Sequence, residues 1–270
     1  MKVIKYSKIT LTSGYVLPYR FIGSTVRGAF GVGLKKIVCI NPSRVCDECF
    51  AKDTCLFYDF FEKDNPKYRL KIPLNGEVKF DLFLFEEFAD KSPYVISTIF
   101  EAFKNIGIGK KREKIDFKLF YNDNLIYDGV GEIKGYKNEV LEYTVNDIKT
   151  SCKIVFHSPI RVKENKAFVR DDLKLETILR TIHHKYHKLQ NLPITKLPFT
   201  PEYEINDKRF SFIDFRRYSN RQKRGMNFGG VMGYVDFKHI DEKSYYLLKI
   251  GELIGVGKQT TFGLGNIEVI

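Results

Sequence analysis

Glu242–Ile270 reads EKSYYLLKIGELIGVGKQTTFGLGNIEVI, and the fold is legible outward from it. Glu242–Ile254 reads as a helix. The eleven residues Gly255–Gly265 then hold four glycines, a lysine and two threonines, and Thr260–Ile270 closes the chain as a strand. The same order occurs earlier. A helical run over Tyr94–Ile106 passes into Gly107-Ile108-Gly109-Lys110 and then into an alternating run, Lys114–Tyr121. In both places Gly–apolar–Gly–Lys stands between a helix and a closing strand, which reads as the mark of an internal duplication.

The rest of each half agrees. In the first, Val3–Thr12 alternates as a strand. Phe21–Cys39 has helical spacing despite glycines at 23, 28, 31 and 33, and Gly76–Glu87 (GEVKFDLFLFEE) alternates as a half-buried strand does. In the second, Lys149–Val162 reads as a strand. Leu173–Gln190 is an amphipathic helix with Leu175, Ile178, Leu179, Ile182, Tyr186 and Leu189 on one face. Strands follow at Phe210–Tyr218 and Met226–His239. The second half spells β-α-β-β-α-β and the first follows the same order with one inner strand read, so the expected class is α+β with tandem ferredoxin-like domains. The join falls near Val145–Thr150, giving a first domain over 1–147 with a cysteine-rich insertion at 39–66, and a second over 148–270.

Composition narrows the function. No run approaches the roughly 18 uncharged apolar residues of a membrane span. Near Met1 apolar and polar residues alternate, with no signal-like apolar stretch, so a cytoplasmic protein is expected. The formal charge of +12 and pI near 9.3 favour a polyanionic partner, because lysine and arginine release counterions condensed on phosphates. The aromatics are all Phe or Tyr, which suits base stacking and β-sheet cores equally.

Three clusters carry candidate chemistry. In the glycine segment, glycines allow close backbone approach to phosphate oxygens and Lys258 adds a point charge. It is not a Walker A loop, since Glu252 and Gln259 occupy positions that need Gly and Ser or Thr. Nor is it a dinucleotide fingerprint, which would need a third glycine at Thr260. A second cluster, Arg216–Arg224 (RRYSNRQKR), places five cations in nine residues without an acid. It can hold phosphates with arginine forks and read bases with Gln222 and Asn220. A solvated basic hairpin is the plain alternative. The third is Cys39, Cys46, Cys49 and Cys55, four thiols within 17 residues. In a reducing compartment this spacing suits a closed tetrahedral zinc site. An iron–sulfur cluster and unliganded thiols are the other readings.

The order RRYSNRQ, MNFGGVMGYVDF, GELIGVGKQTTFGLGNIEV resembles the C-terminal half of the CRISPR repeat-RNA processing endoribonucleases of the RAMP superfamily. Their hallmark is Gly–apolar–Gly, five residues, Gly–x–Gly, matched here by Gly255, Val256, Gly257, Lys258–Phe262, Gly263, Leu264 and Gly265. Arg27-Gly28-Ala29-Phe30 and the cysteine cluster are similar to family members in the first half. The resemblance implies antiviral CRISPR function and repeat RNA bound by Arg216, Arg217, Arg221, Gln222, Arg224, Gly255, Gly257, Lys258, Gly263 and Gly265, with Lys110 and Arg112 from the shorter loop. It also implies cleavage without a catalytic cofactor: a 2′-hydroxyl attacks the adjacent phosphate, leaving a 2′,3′-cyclic phosphate. Zinc at the cysteines would then be structural. The family's N-terminal histidine has no counterpart before His157, and Gly255 stands where relatives often carry histidine. Candidates for acid–base work are His157, His183 and His187, with Tyr19, Lys36, Arg44 or Lys52 as substitutes by position. The second reading is a catalytically silent RNA-binding subunit of a CRISPR ribonucleoprotein complex.

Overall fold

A computed structural model describes residues 3–219 and 224–270. The chain divides into two compact units, Met1–Tyr143 and Thr144–Ile270.

The first unit contains β1 (Ile4–Thr12), α1 (Gly23–Val38), α2 (Leu56–Phe61), β2 (Tyr68–Lys71), β3 (Phe80–Phe85), α3 (Ser92–Phe100), β4 (Lys118–Tyr121), β5 (Asn124–Tyr127) and β6 (Leu141–Tyr143). Its sheet runs β2-β3-β1-β4-β5, all antiparallel, with β6 pairing the start of β1. Ile9 and Leu11 on β1, Leu82 and Leu84 on β3 and Leu119 on β4 are buried among the residues of one core with α1 and α3. Each such side chain contributes roughly 1.5–3 kcal/mol by leaving water.

The glycines that weaken the helical pattern of α1 have a packing reason. A methyl at Gly33 would lie 2.9 Å from the Thr98 carbonyl oxygen, so α1 and α3 approach there to a distance only hydrogen allows. The cysteine-bearing segment returns to the core through α2, whose Phe60 is fully buried between Phe88 and Tyr68, 4.5 and 5.0 Å centroid to centroid. The run read as one helix over Tyr94–Ile106 is α3 followed by a widened π-helical turn, Glu101–Ile106, closed by the Gly107 N–H on the Ala102 carbonyl.

The second unit contains β7 (Cys152–Ile160), a short hairpin of β8 (Lys163–Glu164) and β9 (Ala167–Phe168), and α4 (Leu175–Leu189). It continues with β10 (Tyr203–Ile213), β11 (Arg216–Ser219), β12 (Arg224–Asn227), β13 (Gly230–Ile240), α5 (Glu242–Ile254) and β14 (Ile267–Val269). Its sheet order is β10-β13-β7-β14, antiparallel throughout. Strand for strand this repeats β2-β3-β1-β4, the ferredoxin-like order in both units. All six residues of the expected α4 face are buried. Asp241 caps α5, accepting from the Ser244 backbone at 3.0 Å.

Two expected strands are broken. Phe210–Tyr218 and Met226–His239 pair as β10 with β13, then separately as β11 with β12. Between them Phe228 turns fully into the core, its ring meeting Phe262 edge-on at 5.1 Å. The closing strand is shorter than expected, because Thr260–Phe262 forms a 3-10 turn before β14. Among the described residues no helix is long and apolar enough to cross a membrane.

Candidate nucleic-acid interface

The glycine loop is built by closing the chain on itself. Gly255 ends α5 at φ 79°, and Gly257 follows at φ 80°. Val256 between them is fully buried and donates its N–H to the Gly265 carbonyl at 2.8 Å. A methyl on Gly265, itself at φ 73°, would lie 1.9 Å from the Val256 oxygen, so both backbone angle and space demand glycine. The loop is tied to the end of β7: Gly265 N–H donates to Pro159 O (3.0 Å) and Lys258 N–H to Arg161 O (2.9 Å). Gly255, Gly263 and Gly265 are buried, and the Gly265 contacts close the loop. Lys258 is the exposed tip.

Two cations absent from the sequence-level expectation support the loop. Lys185 on α4 donates to Thr260 Oγ1 at 2.6 Å and to the Gly255 carbonyl at 3.4 Å. Arg161 lies 3.6 Å over the Phe168 ring and donates from Nη1 to the Gly229 carbonyl at 2.7 Å. No local pattern marks either, since each depends on partners brought in by the sheet and helix packing. Arg161 and the Phe228–Phe262 contact connect the loop to the base of the basic hairpin. On that hairpin Arg216 pairs Asn227 and Arg217 pairs Met226 along the backbone, with Arg224 opposite Ser219. Arg221 and Gln222 lie outside the described residues.

The three histidine candidates separate. His183 is buried, its Nε2 3.0 Å from Thr195 Oγ1, and His187 Nδ1 donates to the Pro193 carbonyl at 2.6 Å. Their rings lie 4.1 Å apart, and both hold the segment after α4 against that helix. Burial, with the neighbouring His187 and His184 imidazoles, keeps the His183 pKa below its ordinary value. His157 differs. Its side chain is 44% exposed, and Nε2 lies 2.7 Å from Glu268 Oε2 on β14. Its backbone N–H donates to the Asn266 carbonyl at 2.9 Å, and Asn266 donates to Ser158 Oγ at 2.9 Å. His157 thus stands at the exit of the glycine loop.

In the first unit, Lys110 and Arg112 are exposed on the turn after Gly109. Of the substitute candidates, Tyr19 shares a hydrogen bond with Thr25 Oγ1 and Lys36 is paired with Glu101 at 2.5 Å. Arg44 and Lys52 lie within the cysteine segment, Lys52 with its ammonium 5.1 Å from the Tyr58 ring centre. All four clustered cysteines are free and half-buried. Cys39, Cys49 and Cys55 line one pocket of about 410 Å³, whereas Cys46 accepts a long contact from Lys35 Nζ at 3.6 Å. Among the described residues no group of three or more Cys, His, Asp or Glu side chains is close enough to hold a metal ion.

Comparison with known proteins places these features. Residues 7–132 match a family model described as an N-terminal domain, and residues 154–267 match that of the CRISPR-associated endoribonuclease Cas6. An uncharacterized protein of Archaeoglobus fulgidus is 24% identical over 281 residues, covering 94% of this chain and 93% of its own. Among solved structures, a Cas6 product complex matches at TM-score 0.56 and 12% identity over all of both chains. Thermus thermophilus Cas6 matches at TM-score 0.54 and 13% identity, covering 100% of this chain and 99% of its own. At such identities the structural likeness concerns the fold, and the Cas6 family match lies within the second unit. Residues 154–267 match the family model of the CRISPR-associated endoribonuclease Cas6, and the chain shares the tandem ferredoxin-like fold of the solved Cas6 structures.

Proposed function

We propose that the protein binds CRISPR repeat RNA through the second unit's glycine loop and basic hairpin and cuts it without a metal ion. The observation that carries the catalytic part is the position of His157. It is an exposed imidazole with a carboxylate partner, fixed by its backbone to the residue that leaves the glycine loop. With the Nε2 proton held by Glu268, Nδ1 is the free base. It accepts the proton of a ribose 2′-hydroxyl. The 2′-oxygen forms a bond to the adjacent phosphorus, the bond from phosphorus to the 5′-oxygen breaks, and that oxygen leaves protonated. The net change moves one proton from the 2′- to the 5′-oxygen, and no water is consumed. Lys258, with the hairpin arginines, supplies positive charge toward the phosphates. Solved Cas6 relatives include product and substrate-mimic complexes, which suits this assignment.

The test incubates purified protein with repeat RNA from its own array in EDTA. A single cut within the repeat is the expected result. Tight binding with an intact RNA would overturn the catalytic part and leave an RNA-holding subunit of a CRISPR ribonucleoprotein.

A further inference from the structure

The first unit contains a loop with the same backbone design as the glycine loop, and its tip carries the denser charge. Gly107 follows the π-helical turn at φ 89° and ψ 161°, close to Gly255 at 79° and 154°. Gly109 has φ 77°, against 80° for Gly257. Ile108, 1% exposed, takes the place of buried Val256, and its N–H donates to the Glu113 carbonyl at 2.8 Å. Val256 makes the same bond to Gly265 at the same length. A methyl on Gly107 would lie 2.1 Å from the Arg112 oxygen, so this loop too closes by backbone contact that only glycine permits.

What differs is the content of the tip. The Ile108–Glu113 pairing leaves a four-residue turn, Gly109-Lys110-Lys111-Arg112, closed by the Arg112 N–H on the Gly109 carbonyl at 3.3 Å. Lys110, Lys111 and Arg112 are all exposed. Five lysines elsewhere in this unit pair with carboxylates, in Lys8–Asp123, Lys36–Glu101, Lys63–Asp59, Lys67–Glu87 and Lys134–Asp128. Among the described residues none of the three tip cations has an ion-pair partner. Arg112 is also held at φ 52°, a conformation costly for a residue with a side chain. Three adjacent like charges on a strained turn repel one another until a polyanion neutralises them.

We propose that the Gly107–Glu113 loop is a second RNA-backbone site, with Lys110, Lys111 and Arg112 each neutralising a phosphate of a single-stranded segment. The inference rests on the RNA-binding reading above and adds to it a contact in the other unit.

The experiment measures the dissociation constant for repeat RNA against salt concentration for three proteins. These are the wild type, a loop variant (Lys110→Gln, Lys111→Gln, Arg112→Asn) and a charge control (Lys71→Gln, Lys79→Gln, Lys91→Gln). Asparagine is chosen at 112 because it tolerates positive φ. Three lost phosphate contacts on a single strand reduce the slope of log K against log[salt] by about 2. They also weaken binding roughly a hundredfold at 0.1 M salt, with the value extrapolated to 1 M unchanged. The control keeps the wild-type slope, and all three proteins melt at the same temperature. A loop variant with the wild-type slope overturns the proposal, as does a control that loses as much slope as the loop variant. A loop variant that melts lower is replaced by Lys111→Gln alone, which must still lose about 0.7 of slope. Failure of the wild type to bind the RNA at all would instead count against the RNA-binding reading itself.

Discussion

His157 Nε2 lies 2.7 Å from Glu268 Oε2, across the ladder in which Phe156 of β7 pairs Ile267 of β14 and Val155 pairs Glu268. Two exposed side chains, 111 residues apart, are thus joined diagonally on neighbouring strands, next to the point where the glycine loop rejoins the sheet. The carboxylate fixes which ring nitrogen carries the proton, and in the proposed reaction the other is the base.

That geometry predicts unequal mutants. His157→Ala should slow single-turnover cleavage by roughly 10²–10⁴-fold, the usual contribution of a general base. Repeat-RNA affinity should stay within about twofold, since the proposed role of the imidazole is on the reacting atoms. Glu268→Gln keeps the shape and loses the charge, so its rate should fall less than that of His157→Ala. Equal cleavage by His157→Ala and wild type would remove His157 from the mechanism.

Loop closure gives a stability prediction. Gly265→Ala forces a methyl to 1.9 Å from the Val256 oxygen at φ 73°, and should cost about 1–3 kcal/mol or more, read from the denaturant midpoint. Gly135→Ala places its methyl in open space and should be nearly neutral. Equal midpoints for the two variants would mean that the loop relaxes without loss.

Both the successes and the gaps in reading the sequence have physical causes. The strand and helix order was legible because each element buries one face: the six apolar residues of α4 recur at helical spacing, and β1 alternates from Ser7 to Thr12. The separate β11–β12 hairpin was not, because the break depends on Phe228 leaving the strand to meet Phe262, a tertiary contact. The loop was legible in its glycines and Lys258 and not in its supports. Lys185 meets Thr260 from 75 residues away, and the His157–Glu268 pair needs the β7–β14 register. The backbone closure that requires glycine at 265 was not legible either, since it depends on the Val256 carbonyl folding back on it.

Acid should weaken the second unit through α4. His183 has its pKa lowered by burial and by the His187 and His184 rings, and burial lowers His184 too, against an opposing hydrogen bond to the Thr195 backbone. Below about pH 6.5 the unfolded chain takes up these protons while the folded one resists, so stability is full above that value and falls as pH decreases. The slope is up to about 1.4 kcal/mol per pH unit for each histidine, until its folded pKa is passed. Denaturant melts between pH 7 and 5.5 should show the loss, and His183→Gln should flatten it. A pH-independent midpoint in the wild type would contradict this assignment.

Lys258 tests the loop as a phosphate contact. Lys258→Gln should lower the salt slope of repeat-RNA binding by about 0.7, the value of one contact on a single strand, with the melting temperature unchanged because the side chain is exposed. An unaltered slope would move the contact elsewhere on the unit.

The most direct measurement is mass spectrometry of the RNA ends left by the protein in EDTA, run beside a repeat with a single 2′-deoxy substitution at the cut. The account predicts a 2′,3′-cyclic phosphate on one fragment, a 5′-hydroxyl on the other, and no cut in the substituted RNA. A 3′-hydroxyl paired with a 5′-phosphate, or cleavage of the 2′-deoxy substrate, would contradict it.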